Sequence, residues 1–137
     1  MMREHEQLQW RNISDMAVFT ELLQGLQEFA SEQLATLKDC EHRPHVLDEQ
    51  SVSRYIALHT EQRDSHWLYV EQFARWQRGK LNRSQSIEVD RLIAQSLTLK
   101  EKNEAILALV DKIAPPIVGS LMALEEDNPT LKTLIKD

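Results

Sequence analysis

The chain is poor in everything that breaks helices or staples loops. Its 137 residues include three glycines, four prolines and one cysteine. Turns and strand connections draw on Gly and Pro, so this scarcity predicts long helices. A lone Cys40 excludes an intrachain disulfide. No apolar run approaches the roughly 18 residues of a membrane span. The opening MMREHEQLQW places charges where a signal peptide needs an apolar core. Together these point to a reducing, cytoplasmic setting. The net charge is −6 and no basic stripe follows a helix face, which disfavours a nucleic-acid or anionic-membrane partner. The one basic patch, Arg75, Arg78, Lys80 and Arg83, surrounds a predicted helix end, where cations complement the dipole.

Signatures of chemistry are equally sparse. Carboxylate-bridged di-metal bundles need Glu-x-x-His pairs, and no Glu here is followed three residues later by His. The three glycines stand far apart, so there is no phosphate-cradling loop. No Ser sits in a glycine-flanked strand–turn–helix context. The sequence therefore predicts a protein that is not an enzyme and needs no cofactor.

What is present is heptad periodicity. Val89, Leu92, Ser96, Leu99, Asn103, Ile106, Val110 and Ile113 alternate in steps of three and four, and six of these eight are aliphatic. That is the stripe by which a helix buries itself lengthwise against other helices. A first helix carries the seam Met16, Phe19, Leu23, Leu26, Ala30, Gln33, Leu37 and Cys40, widened by Leu22, Phe29 and Leu34. Asn12 or Ser14 can cap it. Gly25, inside this helix, suggests close approach of a neighbour. Pro44 separates the first helix from a second, which Asp48 caps and Gly79 ends in a left-handed turn. The predicted seam of the second helix is Val52, Ile56, His59, Arg63, His66, Val70, Phe73 and Gln77. Ser84 or Ser86 can cap the third.

Connections of about eight residues make sequential helices antiparallel neighbours. No β-type alternation is sustained. The expected fold is all-α: an elongated antiparallel bundle or coiled coil of three long helices in one domain, residues 1–137. Residues 1–11 form a frayed arm or an extra turn. Residues 115–137 form a C-terminal helical extension beyond Pro115 and Pro116.

Three groups are candidate sites. Cys40, His42 and His45 have C-x-H-x-x-H spacing; zinc would need a fourth ligand from Asp39, Glu41 or Asp48, and the competing reading is a polar loop at a helix end. His59 and His66, a heptad apart with Arg63 between, form a polar register layer or a pH-sensitive site, with Ser96 and Asn103 as facing partners. Any carboxylate partner of a buried Arg63 is expected from across the bundle. Residues 67–76 are apolar at seven of ten positions. Their arc, including Trp67, Tyr69, Val70, Phe73 and Trp76, either meets two neighbours or offers a face to a partner or second copy.

The run LIAQSLTLKEKNEAILALVDKI, with Leu99, Asn103, Ile106, Leu107 and Val110, resembles the last long helix of flagellar export chaperones of the FlgN and FliT type. VLDEQSVSRYIALHTEQRDSHWLYVEQF resembles that family's second helix, with Arg63 as its basic residue. The likeness covers residues 15–113. It implies a chaperone that binds an amphipathic helix of a hook-associated type client and keeps it soluble. By position it would place the client surface on Ile117, Leu121, Leu124, Leu131, Leu134 and Ile135. The alternative reading is a structural or regulatory self-associating bundle.

Overall fold

A computed structural model describes residues 9–114; the proposed client-binding residues Ile117, Leu121, Leu124, Leu131, Leu134 and Ile135 lie outside them. Among the described residues every regular element is helical. Four α-helices follow in order: α1 (Met16–Cys40), α2 (Glu49–Asp64), α3 (His66–Gln77) and α4 (Arg83–Ile113). Short 3-10 turns at Ile13–Asp15 and Pro44–Val46 introduce α1 and α2.

The caps explain where these helices begin. Asn12 Oδ1 accepts from the Ser14 amide, 3.0 Å, and so starts the 3-10 turn that feeds α1. Asp48 Oδ1 accepts from the Ser51 amide, 2.7 Å, at the head of α2. That amide holds the Asp48 carboxyl below its usual range. α4 starts at neither Ser84 nor Ser86. Asn82 Oδ1 accepts from the Gln85 amide, 2.8 Å, while Gln85 Oε1 accepts from the Asn82 amide, 3.0 Å. This reciprocal box satisfies two otherwise orphaned donors at once, which a serine alone does not. Gly79 was expected in a left-handed turn, but no described residue has positive φ. The chain leaves α3 by a tight turn instead, with the Gly79 amide donating to the Trp76 carbonyl, 3.1 Å.

α4 is the keystone. At 31 residues it reaches about 46 Å and packs against each of the other three helices. Its buried residues are Val89, Leu92, Ser96, Leu99, Asn103, Ile106 and Val110, the predicted seam in full up to the partly buried Ile113. On α1 the buried residues Leu23, Ala30 and Leu37 recur every seven. Gln27 Nε2 donates to the Gln95 carbonyl, Lys102 Nζ to Ser31 Oγ, and Lys112 Nζ to Glu41 Oε2. All three pairs are offset by 68 to 71 residues in the same sense, so α1 and α4 run parallel. That register sets Leu23, Ala30 and Leu37 beside Leu92, Leu99 and Ile106. The α2–α3 rod runs antiparallel to both: His59 meets Asn103, and Phe19 meets Phe73 and Trp76.

The expected single second helix is two. At Ser65 the regular ladder tightens, with the Leu68 amide donating to the Ser65 carbonyl three residues back. The predicted seam also changes. Tyr55, Gln62, Tyr69 and Trp76 are buried or half-buried, whereas Val70 and Gln77 are exposed and Arg63 is only partly covered. The rod has two neighbours, and positions one residue earlier face α1: Tyr69 and Trp76 both meet Phe19 edge-on. Gly25 marks no close approach. A Cβ built there meets nothing within 4 Å.

Candidate functional site

α1 and the α2–α3 rod pack on α4 more closely than on each other. A groove remains between them on the side away from α4. Three clefts lie along it. The first, about 300 Å³, is lined by Phe29 and Gln33 of α1 and Ser51, Arg54, Tyr55, Leu58 and His59 of α2. The middle one, about 240 Å³, is lined by Leu26, Leu58, Glu61, Gln62, Ser65 and Tyr69, with Leu99 of α4 at its floor. The last, about 250 Å³, is lined by Phe19, Ser65, Leu68, Tyr69 and Gln72, together with Gln9, Trp10 and Arg11 of the N-terminal arm. Leu58 is shared by the first two clefts, and Ser65 and Tyr69 by the last two, so the three adjoin in a row, a segmented trough.

Its rim is apolar and exposed. Phe29 of α1 and Leu58 of α2 border the first cleft and are exposed, and Val18 and Leu22 are exposed further along α1. The N-terminal arm closes one end. The Arg11 amide donates to Gln72 Oε1, 2.7 Å, and the Arg11 carbonyl accepts from Gln72 Nε2, 3.2 Å, and Trp76 Nε1, 2.9 Å. The Arg75 guanidinium lies 4.5 Å from the centre of the Trp10 ring.

The floor holds the predicted polar layer, reduced to one pair. His59 and Asn103 are both wholly buried, with His59 Nδ1 2.7 Å from Asn103 Oδ1. With the Asn103 amide oxygen toward it, Nδ1 carries the proton and His59 Nε2 is the acceptor. The rings of Phe29 and Tyr55 lie nearly parallel to the imidazole, at 6.2 and 6.1 Å. Burial pushes the His59 pKa down, opposed in part by the bond to Asn103. His59 Nε2, Asn103 Nδ2, Gln62 Oε1 and Gln95 Oε1 are buried with no hydrogen-bond partner.

The rest of the predicted layer lies elsewhere. Arg63 was expected to draw a partner from across the bundle, but its Nε lies 3.0 Å from Asp64 Oδ1 on its own helix. Both side chains are substantially exposed, so no charge needs burying. Ser96 is buried, but its hydroxyl donates to the Ile93 carbonyl of its own helix. His66 is partly buried and does meet Ser96, through that residue's backbone; burial, then the Lys100 ammonium, hold its pKa low against the Glu104 carboxylate and the Ser96 backbone bond.

The apolar arc of residues 67–76 is divided. Phe73 and Trp76 are core residues and Tyr69 is half-buried, whereas Trp67 and Val70 are exposed. The five therefore share no single face. Cys40 is buried and His42 exposed, the His45 side chain lies outside those described, and no three His, Cys, Asp or Glu side chains among the described residues are grouped to hold a metal. No described helix is long and apolar enough to cross a membrane. Sequence reasoning missed Leu58 and Gln62 as groove residues. The signal was there in Tyr55, Tyr69 and Trp76, aromatic residues at multiples of seven on the second buried stripe.

No protein-family model, no curated protein and no solved structure matches the chain.

Proposed function

We propose that the protein is a helical adaptor or chaperone that holds an amphipathic helix of a protein partner in the trough between α1 and the α2–α3 rod. One observation carries this reading: a row of clefts between α1 and the α2–α3 rod, with Phe29 and Leu58 exposed on its two sides. A helix laid there would meet both rims with one apolar stripe, as helix-in-groove complexes do. It would turn a three-rod arrangement into a four-rod one. The resemblance to flagellar export chaperones agrees in kind, and makes the client a secreted protein of the hook-associated type kept soluble before export. The client surface expected at Ile117, Leu121, Leu124, Leu131, Leu134 and Ile135 is a separate proposal about residues outside those described.

The test places a photo-crosslinking residue at Leu22 or Leu58 in the full-length chain, then titrates the helix of the captured protein against the purified chain. Saturable binding weakened at least tenfold by Leu58→Glu supports the reading. Binding unaffected by Leu58→Glu and Leu22→Glu overturns it.

Self-association is the second reading. His59 opposite Asn103 sets the antiparallel register and brings Val70 level with Ile93, both exposed, with Leu97 a turn further along α4. Light scattering decides: a strict monomer at high concentration rejects it.

A further inference from the structure

Two of the buried polar atoms without partners belong to residues lining the trough: His59 Nε2 in the first cleft and Gln62 Oε1 in the middle one. They lie three residues apart, one turn of α2. Both are acceptors. His59 is wholly buried and lines the first cleft, and because its Nδ1 is committed to Asn103 on α4, Nε2 is left on the other edge of the ring. Native interiors rarely leave such atoms unpaired, because an unmade buried hydrogen bond forfeits the desolvation already incurred. Phe29 and Leu58 border the first cleft beside His59 and are exposed, so they can shift to admit an incoming side chain.

We infer that the helix recognised by this trough carries an uncharged amide, an Asn or Gln, within its apolar stripe, its two N–H donors placed against His59 Nε2 and Gln62 Oε1. The inference rests on the function proposed above and specifies its partner. Neutrality beside His59 follows from the surroundings. Arg54 lines the first cleft and repels a Lys or Arg there, whereas Glu61, which lines the middle cleft, would favour a cation only further along, beside Gln62. A carboxylate would set an acceptor against two acceptors. A purely aliphatic stripe leaves both atoms unpaired. A polar residue within an apolar seam fixes register elsewhere in helical assemblies, and here it would fix where along the trough the partner sits.

The test uses the full-length chain and two synthetic 21-residue amphipathic peptides, identical except for Asn or Leu at the centre of the leucine stripe. Each is titrated calorimetrically into the wild type and into the His59→Leu/Asn103→Leu variant. That variant removes the buried pair together, and its fold is checked by thermal melting. The expected result is that the ratio of Asn-peptide to Leu-peptide affinity falls at least fivefold in the variant. An unchanged ratio, with both peptides bound, overturns the donor inference and leaves the trough reading standing. Failure of the wild type to bind either peptide overturns both. A His59 Nε2 already hydrogen-bonded in the unbound chain, seen in its long-range nitrogen spectrum, also overturns the inference. In that case residues 115–137 or, if the signal depends on concentration, a second copy is the occupant.

Discussion

The two contacts that α1 makes are built differently. Toward α4 it presents Leu23, Ala30 and Leu37, every seventh residue, to Leu92, Leu99 and Ile106; all six are buried. Toward the α2–α3 rod it presents Phe19 to an aromatic cluster at one end, then Leu26, Phe29 and Gln33 to a run of clefts. One interface is aliphatic and closed. The other is closed only where Phe19 meets Phe73 and Trp76 edge-on, at 5.8 and 5.2 Å. Stability is thus concentrated on the α4 side, and the opposite side is left more open.

The strongest way to break that contrast is to open the closed interface. Leu92→Ala removes a fully buried side chain from the seam. It is expected to cost about 3 to 5 kcal/mol, the usual range for a leucine truncated in a packed core. Denaturant unfolding monitored by circular dichroism measures it. A loss near 1 kcal/mol would mean that the seam is looser than its burial implies.

The next effect is at the polar floor where the two sides meet. Asn103→Leu leaves the His59 Nδ1 proton buried without an acceptor, at an expected cost of about 1 to 3 kcal/mol. His59→Leu/Asn103→Leu removes both groups and is expected to cost less than Asn103→Leu alone, so the two substitutions are non-additive. The pair also sets a pH dependence. Burial holds the folded His59 pKa below its ordinary value of 6.5. The unfolded chain therefore binds the proton more readily. Stability is complete above the unfolded pKa and declines as pH falls through 6.5 toward the lower folded value. His66, whose pKa is shifted the same way, adds to that decline. In the double variant the slope between pH 7.5 and 5.5 should be visibly shallower; an unchanged slope would exclude His59 as a source.

Much of the closed side was legible in the residues. A strict three–four alternation from Val89 to Val110 names the buried face of α4, because a long helix packed lengthwise has no other way to bury apolar area. The trough was harder to read. On the second rod Ile56, Arg63 and Val70 compete with Tyr55, Gln62 and Tyr69, one residue apart, and which set lies inside depends on where α1 sits. Ser65 carries no Pro or Gly to announce the break between α2 and α3. The start of α4 was readable but misassigned: Asn82 followed by Gln85 spells a capping box, and two nearby serines competed with it. The proposed site lay beyond reach for the same reason as the trough. An unpaired Nε2 is a property of packing, and no sequence spacing reveals it.

Gly25 sharpens the contrast from the open side. It sits in the middle of α1, three residues after Leu22 and four before Phe29, and a Cβ there meets nothing. Replacing it with Ala should stabilise the chain by about 0.5 to 1 kcal/mol, the helix-propensity difference with no clash to offset it. A destabilisation would show that another segment covers this flank in solution.

The smallest effect is the most informative about function. Leu58 lines the trough and Leu22 lies beside it on α1, and they are 37% and 46% exposed, so each has left only part of its surface in the fold. Leu22→Ser and Leu58→Ser should each change stability by no more than about 0.5 kcal/mol, as exposed substitutions usually do. Both should weaken binding of the amphipathic peptide at least fivefold, because a serine returns to water the surface that the bound helix would cover. Residues kept for the core would lose stability and binding together. Here the two measurements should separate, and a loss of several kcal/mol in either variant would mean that the rims of the trough are already closed on something the chain itself provides.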